Sequence, residues 1–229
     1  MPICWDKSTP KKRKRAIESL IHIKQKWTGE SKGRNCADGG PMRATAKPED
    51  AASPTAFLES ITLTSVIEAH EGRDVVMVDM PNAFVQTKLE KGPDQKKIVM
   101  RLRGAVAEMM VRCAPEVCKP HVVFENGQKV ICVESSKALC GLSISALLFC
   151  KKSLKDLASM GFELNPYDPC VANKMINGKQ MTIVWHVDDL KASHINAKVN
   201  DEFYEWLKSK CEDKEIGILK PEEARFMIF

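Results

Sequence analysis

What the chain lacks narrows its class first. Nowhere does it approach the roughly 18 uninterrupted apolar residues of a membrane-spanning helix. Met1-Pro2-Ile3-Cys4-Trp5-Asp6 leads into no apolar signal core, so the expectation is a soluble intracellular protein without a membrane partner. Its nine cysteines are Cys4, Cys36, Cys113, Cys118, Cys132, Cys140, Cys150, Cys170 and Cys211. They are odd in number and include no C-x-x-C pair, which argues against a disulfide framework and a zinc module. Cys113, Cys118 and His121 lie close in sequence, but without a second cluster they supply too few ligands for a tetrahedral site. Reduced thiols, mostly in the core, are expected. There is no internal repeat and no low-complexity segment.

What is present is enough to fold. The chain has 229 residues, 44% of them hydrophobic and 28% charged, which suits one or two domains with a buried core. The net charge of +5 is modest, yet it is gathered in Pro10-Lys11-Lys12-Arg13-Lys14-Arg15, followed by Lys24, Lys26, Lys32, Arg34 and Arg43. Such a block attracts phosphate backbones or a nuclear import receptor, and a solvated basic helix start explains it equally well.

Periodicity predicts an amphipathic helix over 16–27, with Ile17, Leu20, Ile21 and Trp27 on one side. A hinge at 27–33, a short segment around Arg34, a turn at 37–41 and a surface loop over 44–53 follow. Ser53-Pro54 has the form of a helix start, and that helix should end near Glu71-Gly72. The Val-rich run 74–79 suits a buried strand, and 98–102 suits another. Asn126-Gly127 and Asn177-Gly178 each divide two β-rich runs and predict hairpins. A third turn is expected at Asp188-Asp189. Helices are predicted over 145–160, stopping at Gly161, and over 197–211. The alternation of helices with hairpins favours an α+β fold, an antiparallel sheet covered by helices on one face.

Three carboxylates carry chemistry in this arrangement. Asp79 ends one strand, and Asp188 and Asp189 occupy a turn between two others. Neighbouring strands would bring them together as a cation site, because crowded carboxylates repel unless protonated or neutralised, and hard oxygen ligands suit Mg²⁺. On these residues alone, an Asp-Asp turn is more often simply solvated.

The surrounding segments resemble the copia-type reverse transcriptases of LTR retrotransposons. Val187-Asp188-Asp189 resembles their x-V-D-D signature. Asp79-Met80-Pro81-Asn82-Ala83-Phe84 is similar to their first acidic motif, an Asp followed by Ala-Phe. Lys137-Ala138-Leu139-Cys140-Gly141-Leu142 and Gly161-Phe162…Asp168-Pro169-Cys170-Val171 match further segments in the same order. Lys32-Gly33-Arg34 and Ser53-Pro54-Thr55 stand where the family has its basic fingers strand and Ser-Pro helix start. The likeness covers roughly residues 16–215.

That resemblance implies RNA-directed DNA synthesis by two-metal nucleotidyl transfer from a dNTP to a primer 3′-hydroxyl. It implies Asp79 and Asp188 as ligands of two Mg²⁺ ions, with Mn²⁺ as a substitute and the Met80 backbone carbonyl as a further ligand. Asp189 is implied as the third catalytic acid, and Lys32, Arg34, Phe84, Gly141 and Met80 as nucleotide-binding positions. Phe84 would exclude a 2′-hydroxyl, or is a plain core residue. Implied partners are an RNA or DNA template, a DNA primer, dNTPs and other parts of a polyprotein, in a cytoplasmic particle or the nucleus. The expected layout is a basic tail over 1–15 and fingers over 16–73. Palm with the first acidic motif follows over 74–97, then fingers with a hairpin over 98–142 and palm with the second acidic motif over 143–229. Thumb and RNase H domains are expected to be lacking. Cys140, Ser143-Ile144-Ser145 and His186 depart from the family pattern, which expects Tyr at the first and last. The alternatives are a catalytically inactive relic that retains the fold and binds nucleic acid, and a small metal-dependent nuclease.

Overall fold

In the computed structural model the described residues are 1–4, 15–43, 52–80, 82–89, 97–211 and 217–219. Of the basic run only Arg15 is among them, and Pro81 and most of the 44–53 segment lie outside. The strands in chain order are β1 (Ile17–Gln25), β2 (Ser31–Ala37), β3 (Asp74–Asp79), β4 (Val99–Arg103), β5 (Val123–Glu125) and β6 (Gln128–Glu134). They continue with β7 (Glu163–Leu164), β8 (Val171–Ile176), β9 (Lys179–His186), β10 (Asp189–His194) and β11 (Gly217–Leu219). The longer helices are α1 (Leu58–Glu71), α2 (Ala105–Cys113), α3 (Ser145–Ser159) and α4 (Ala197–Lys210). No helix among the described residues is long and apolar enough to cross a membrane.

The chain is α+β and forms two compact units, Met1–Ala51 with Thr87–Ser145, and Ala52–Gln86 with Ala146–Phe229. The stretch 16–73 is therefore divided, with α1 in the second unit.

The first unit holds a five-stranded sheet in the order β2-β1-β4-β6-β5. Asn126 and Gly127 take φ of 49° and 75°, the left-handed pair that a two-residue hairpin requires, and join β5 to β6 as the sequence predicts. The helix expected over 16–27 is instead β1, paired antiparallel with β2 from Ser19↔Ala37 to Gln25↔Ser31. The helical spacing was coincidental. β-branched Ile17, Ile21 and Ile23 also fit a period of two, and the β2 edge supplies the backbone partners that a lone helix would have to find within itself. Ile17 also pairs in parallel with Met100 of β4, which buries it with Ala37 and Leu142. Helix α2 was not foreseen; it packs Ala107 on Cys118 and Ile131.

The second unit holds a six-stranded antiparallel sheet, β11-β3-β10-β9-β8-β7. Asn177-Gly178 closes the β8–β9 hairpin as predicted. One face carries Val76, Val78, Ile183, Trp185, Leu190 and Ala192, buried against Phe149 and Leu157 of α3 and Val199, Phe203 and Leu207 of α4. Lys191 lies between Leu190 and Ala192 and so points to the other face. There its Nζ donates to Thr64 Oγ1 at 3.0 Å, Ser65 Oγ at 3.1 Å and Glu68 Oε2 at 3.0 Å, all on α1. Helices thus cover both faces and not one, because a buried lysine on the second face recruits a helix through polar groups that carry no hydrophobic signal.

Helix α1 also starts later than Ser53-Pro54 suggests. Its first turn is set from a distance, by Asp168, whose Oδ2 accepts the Phe57 N–H at 2.9 Å while Oδ1 accepts the Cys170 N–H at 2.8 Å. Burial acts to raise the Asp168 pKa, but hydrogen bonds from Ser60, Phe57 and Cys170 outweigh it and hold the carboxyl below its ordinary value. A depressed folded pKa means stability that is present above the unfolded pKa and lost as pH falls through the folded one. Asp168→Ala is expected to cost about 2–3 kcal/mol at neutral pH, since two N–H groups lose a charged acceptor. Urea titrations should show the deficit shrinking below the ordinary carboxylate range; an equal deficit at pH 3 would contradict it.

Candidate active site

The second unit gathers acids at one end of its sheet. Asp79 closes β3 and stands directly opposite Asp189 of β10, which in turn stands opposite His186 of β9. Paired residues of antiparallel strands share a face, so these three side chains lie side by side. Asp188 is in the turn between β9 and β10. The turn is one residue earlier than the sequence suggests, with Val187 and Asp188 at its centre. Val187 takes φ 58°, a left-handed conformation in which a β-branched residue is strained. Such strain costs about 1–3 kcal/mol and persists only where the flanking pairing enforces it. The Met80 N–H reaches the Asp188 carbonyl at 3.4 Å, linking the turn to the chain just after β3.

Electrostatics follow from the crowding. Asp79 is exposed, while Asp188 and Asp189 are half-buried. Burial, then the charges of Asp188 and Asp79, push the Asp189 carboxyl up, and His186 opposes them. A carboxyl with a raised folded pKa contributes stability that is full below the unfolded pKa and lost as pH rises through the folded one. Asp189→Asn should therefore raise the melting temperature at pH 7 and leave it unchanged near pH 3. A lower melting temperature at pH 7 would mean that Asp189 is held by bonds its charge favours.

Among the described residues no set of three or more His, Cys, Asp or Glu converges closely enough to hold a metal ion by itself. Mg²⁺ commonly takes one or two carboxylates and completes its shell with water and substrate phosphates, and a dication would relieve the repulsion that raises Asp189.

The other residues singled out from the sequence are distributed as follows. Met80 is buried in the core of the second unit. Phe84 is half-buried on that core, edge-on to Phe149 at 6.3 Å between ring centres. Lys32, Arg34 and Gly141 belong to the first unit. Lys32 pairs across the β1–β2 hairpin with Lys24, and Arg34 with His22. All four are exposed on one face, a basic surface that the helical reading of β1 could not reveal. Lys24 and Lys32 are like charges placed opposite each other, which is unfavourable on a sheet, so this face concentrates positive charge.

Gly141, with φ 91°, sits where a Cβ would collide with the Ala37 carbonyl, and a Cβ on Gly39 would collide with the Gly141 carbonyl. A bond from the Ala37 N–H to the Cys140 carbonyl, 2.8 Å long, runs through this contact. All nine cysteines are free; burial drives Cys132 to about 11 and Cys170 to about 12.

No protein-family model matches the chain, and no curated protein matches it. Two telomerases are similar to it in structure. One, from Candida albicans and solved with the TWJ fragment of telomeric RNA, aligns at a TM-score of 0.42 and 9% identity over 96% of this chain and 45% of that one. The other, from Candida tropicalis and solved with the same kind of fragment, aligns at 0.39 and 10% identity over 90% of this chain and 41% of that one. This chain thus spans less than half the length of either, and likeness at these scores carries no argument about activity.

Proposed function

We propose that this chain is a reverse transcriptase domain of the copia type, which extends a DNA primer on an RNA or DNA template with dNTPs. The observation that carries the reading is the register placing Asp79 opposite Asp189, with Asp188 in a strained turn beside them. Asp79 and Asp189 lie more than a hundred residues apart in sequence and share one end of the sheet.

Asp79 and Asp188 are the proposed metal ligands, with the Met80 carbonyl as a third oxygen. Two Mg²⁺ ions, or Mn²⁺ in their place, would lower the pKa of the primer hydroxyl and neutralise the leaving pyrophosphate. Asp189, whose carboxyl is pushed up by burial and then by the charges of Asp188 and Asp79, is assigned to support of the primer end. Phe84, fixed by its contact with Phe149, is assigned to the sugar of the incoming nucleotide. Lys32 and Arg34 are proposed to take phosphate on the exposed basic face of the first unit, the unit to which Gly141 also belongs. Attack of the primer 3′-hydroxyl on the α-phosphorus in line expels pyrophosphate without a covalent enzyme intermediate, and positioning carries the rate.

The test is Mg²⁺-dependent extension of a DNA primer on an RNA template by the purified chain beside Asp188→Asn. Extension by the first and none by the second is expected. Absence of extension by a folded wild-type chain would favour the second reading, a non-catalytic relic that binds nucleic acid. That reading draws support from Cys140 and Ser143-Ile144-Ser145 beside Gly141, which depart from the family pattern.

A further inference from the structure

We propose that Cys36 and Cys140 are a redox-active pair that closes into a reversible disulfide by exchange with a small-molecule disulfide such as oxidised glutathione. The two residues are far apart in sequence and flank one backbone hydrogen bond, from the Ala37 N–H to the Cys140 carbonyl at 2.8 Å. Gly39 and Gly141 make that approach possible, since neither carries a Cβ that would hold the two segments apart. The 2.8 Å bond from the residue next to Cys36 to Cys140 itself keeps the two backbones adjacent, the proximity that the short Cα separation of a disulfide requires.

The pair is asymmetric in a way that orders the chemistry. Cys140 is exposed and Cys36 is buried. Burial, then the neighbouring Cys140, push the Cys36 thiol up, while Arg34 opposes them. The Cys140 thiolate therefore meets the oxidant first. It attacks one sulfur of oxidised glutathione, forms a mixed disulfide and expels a glutathione thiolate. The Cys36 thiolate then attacks the Cys140 sulfur and expels the second. Two protein thiols are oxidised, one glutathione disulfide is reduced to two thiols, and the two protons lost by the protein go to them.

The consequence falls on the basic face of the first unit. Leu20 pairs with Cys36 and His22 with Arg34, so Cys36 shares its strand face with Arg34 and Lys32. Oxidation would pin the inner end of β2 to the Cys140-Gly141 segment. The disulfide itself rests on no assumption about polymerase activity.

The full chain, equilibrated in glutathione buffers of increasing oxidised fraction, alkylated and digested without reductant, tests this by peptide mass. The Cys36–Cys140 cross-linked peptide should be the dominant oxidised species, and excess reduced glutathione should reverse it. Cys36→Ser should instead accumulate a stable glutathione adduct on Cys140, and Cys140→Ser should give neither product. A wild-type chain that keeps the Cys140 adduct with Cys36 unmodified, or that cross-links mainly through other cysteines, overturns the proposal.

Discussion

Replacing Lys191 by alanine is expected to lower stability by about 3–5 kcal/mol, the cost of breaking a buried ion pair by removing one partner. Its side chain and that of Glu68 are almost wholly buried, at 7% and 8% exposure. The Glu68 carboxylate would keep its burial and lose its counter-charge. Its Oε1 has no hydrogen-bond partner even in the intact pair, and Thr64 and Ser65 cannot replace a cation. The loss should fall on β10, which carries Asp189 two residues earlier on the same face. Denaturant unfolding measures the cost. The double replacement Lys191→Met with Glu68→Leu should recover most of it, because two apolar groups of similar volume remove the stranded charge. A single variant as stable as the wild type would show that water reaches Glu68 from outside.

Gly141→Ala is the second large effect, because two costs meet there. A left-handed backbone at an L-residue costs about 1–3 kcal/mol, and forcing atoms into a packed contact costs about 1–3 kcal/mol more. The colliding atom is the Ala37 carbonyl, which a rotamer change cannot move. Two controls separate the terms. Gly178→Ala has φ 74° and nothing within 4 Å of the new Cβ, so it carries only the backbone term. Gly39→Ala meets the Gly141 carbonyl without a positive φ, so it carries only the collision. Unfolding midpoints should rank the wild type above the two controls and Gly141→Ala lowest. Equal losses at Gly141 and Gly178 would mean that the close approach yields without cost.

The sequence by itself determined the features that local chemistry controls. Asn126-Gly127 and Asn177-Gly178 announced their hairpins because few residue pairs tolerate two left-handed positions in succession. The Val-rich run before Asp79 announced a strand, and Gly72 and Gly161 announced helix ends. The three acids were visible as candidates because their motifs are local. Tertiary structure decided what depends on a partner distant in the chain. The segment 17–25 has apolar residues compatible with both periods, and the β2 edge and Met100 settled it as a strand. The start of α1 was fixed by Asp168, more than a hundred residues later. The second sheet face was covered through Lys191 and Glu68, whose polarity argues for the surface until both are buried together. The face uniting His22, Lys24, Lys32 and Arg34, and the meeting of Cys36 with Cys140, follow from strand register and backbone approach, which no single segment of the sequence encodes.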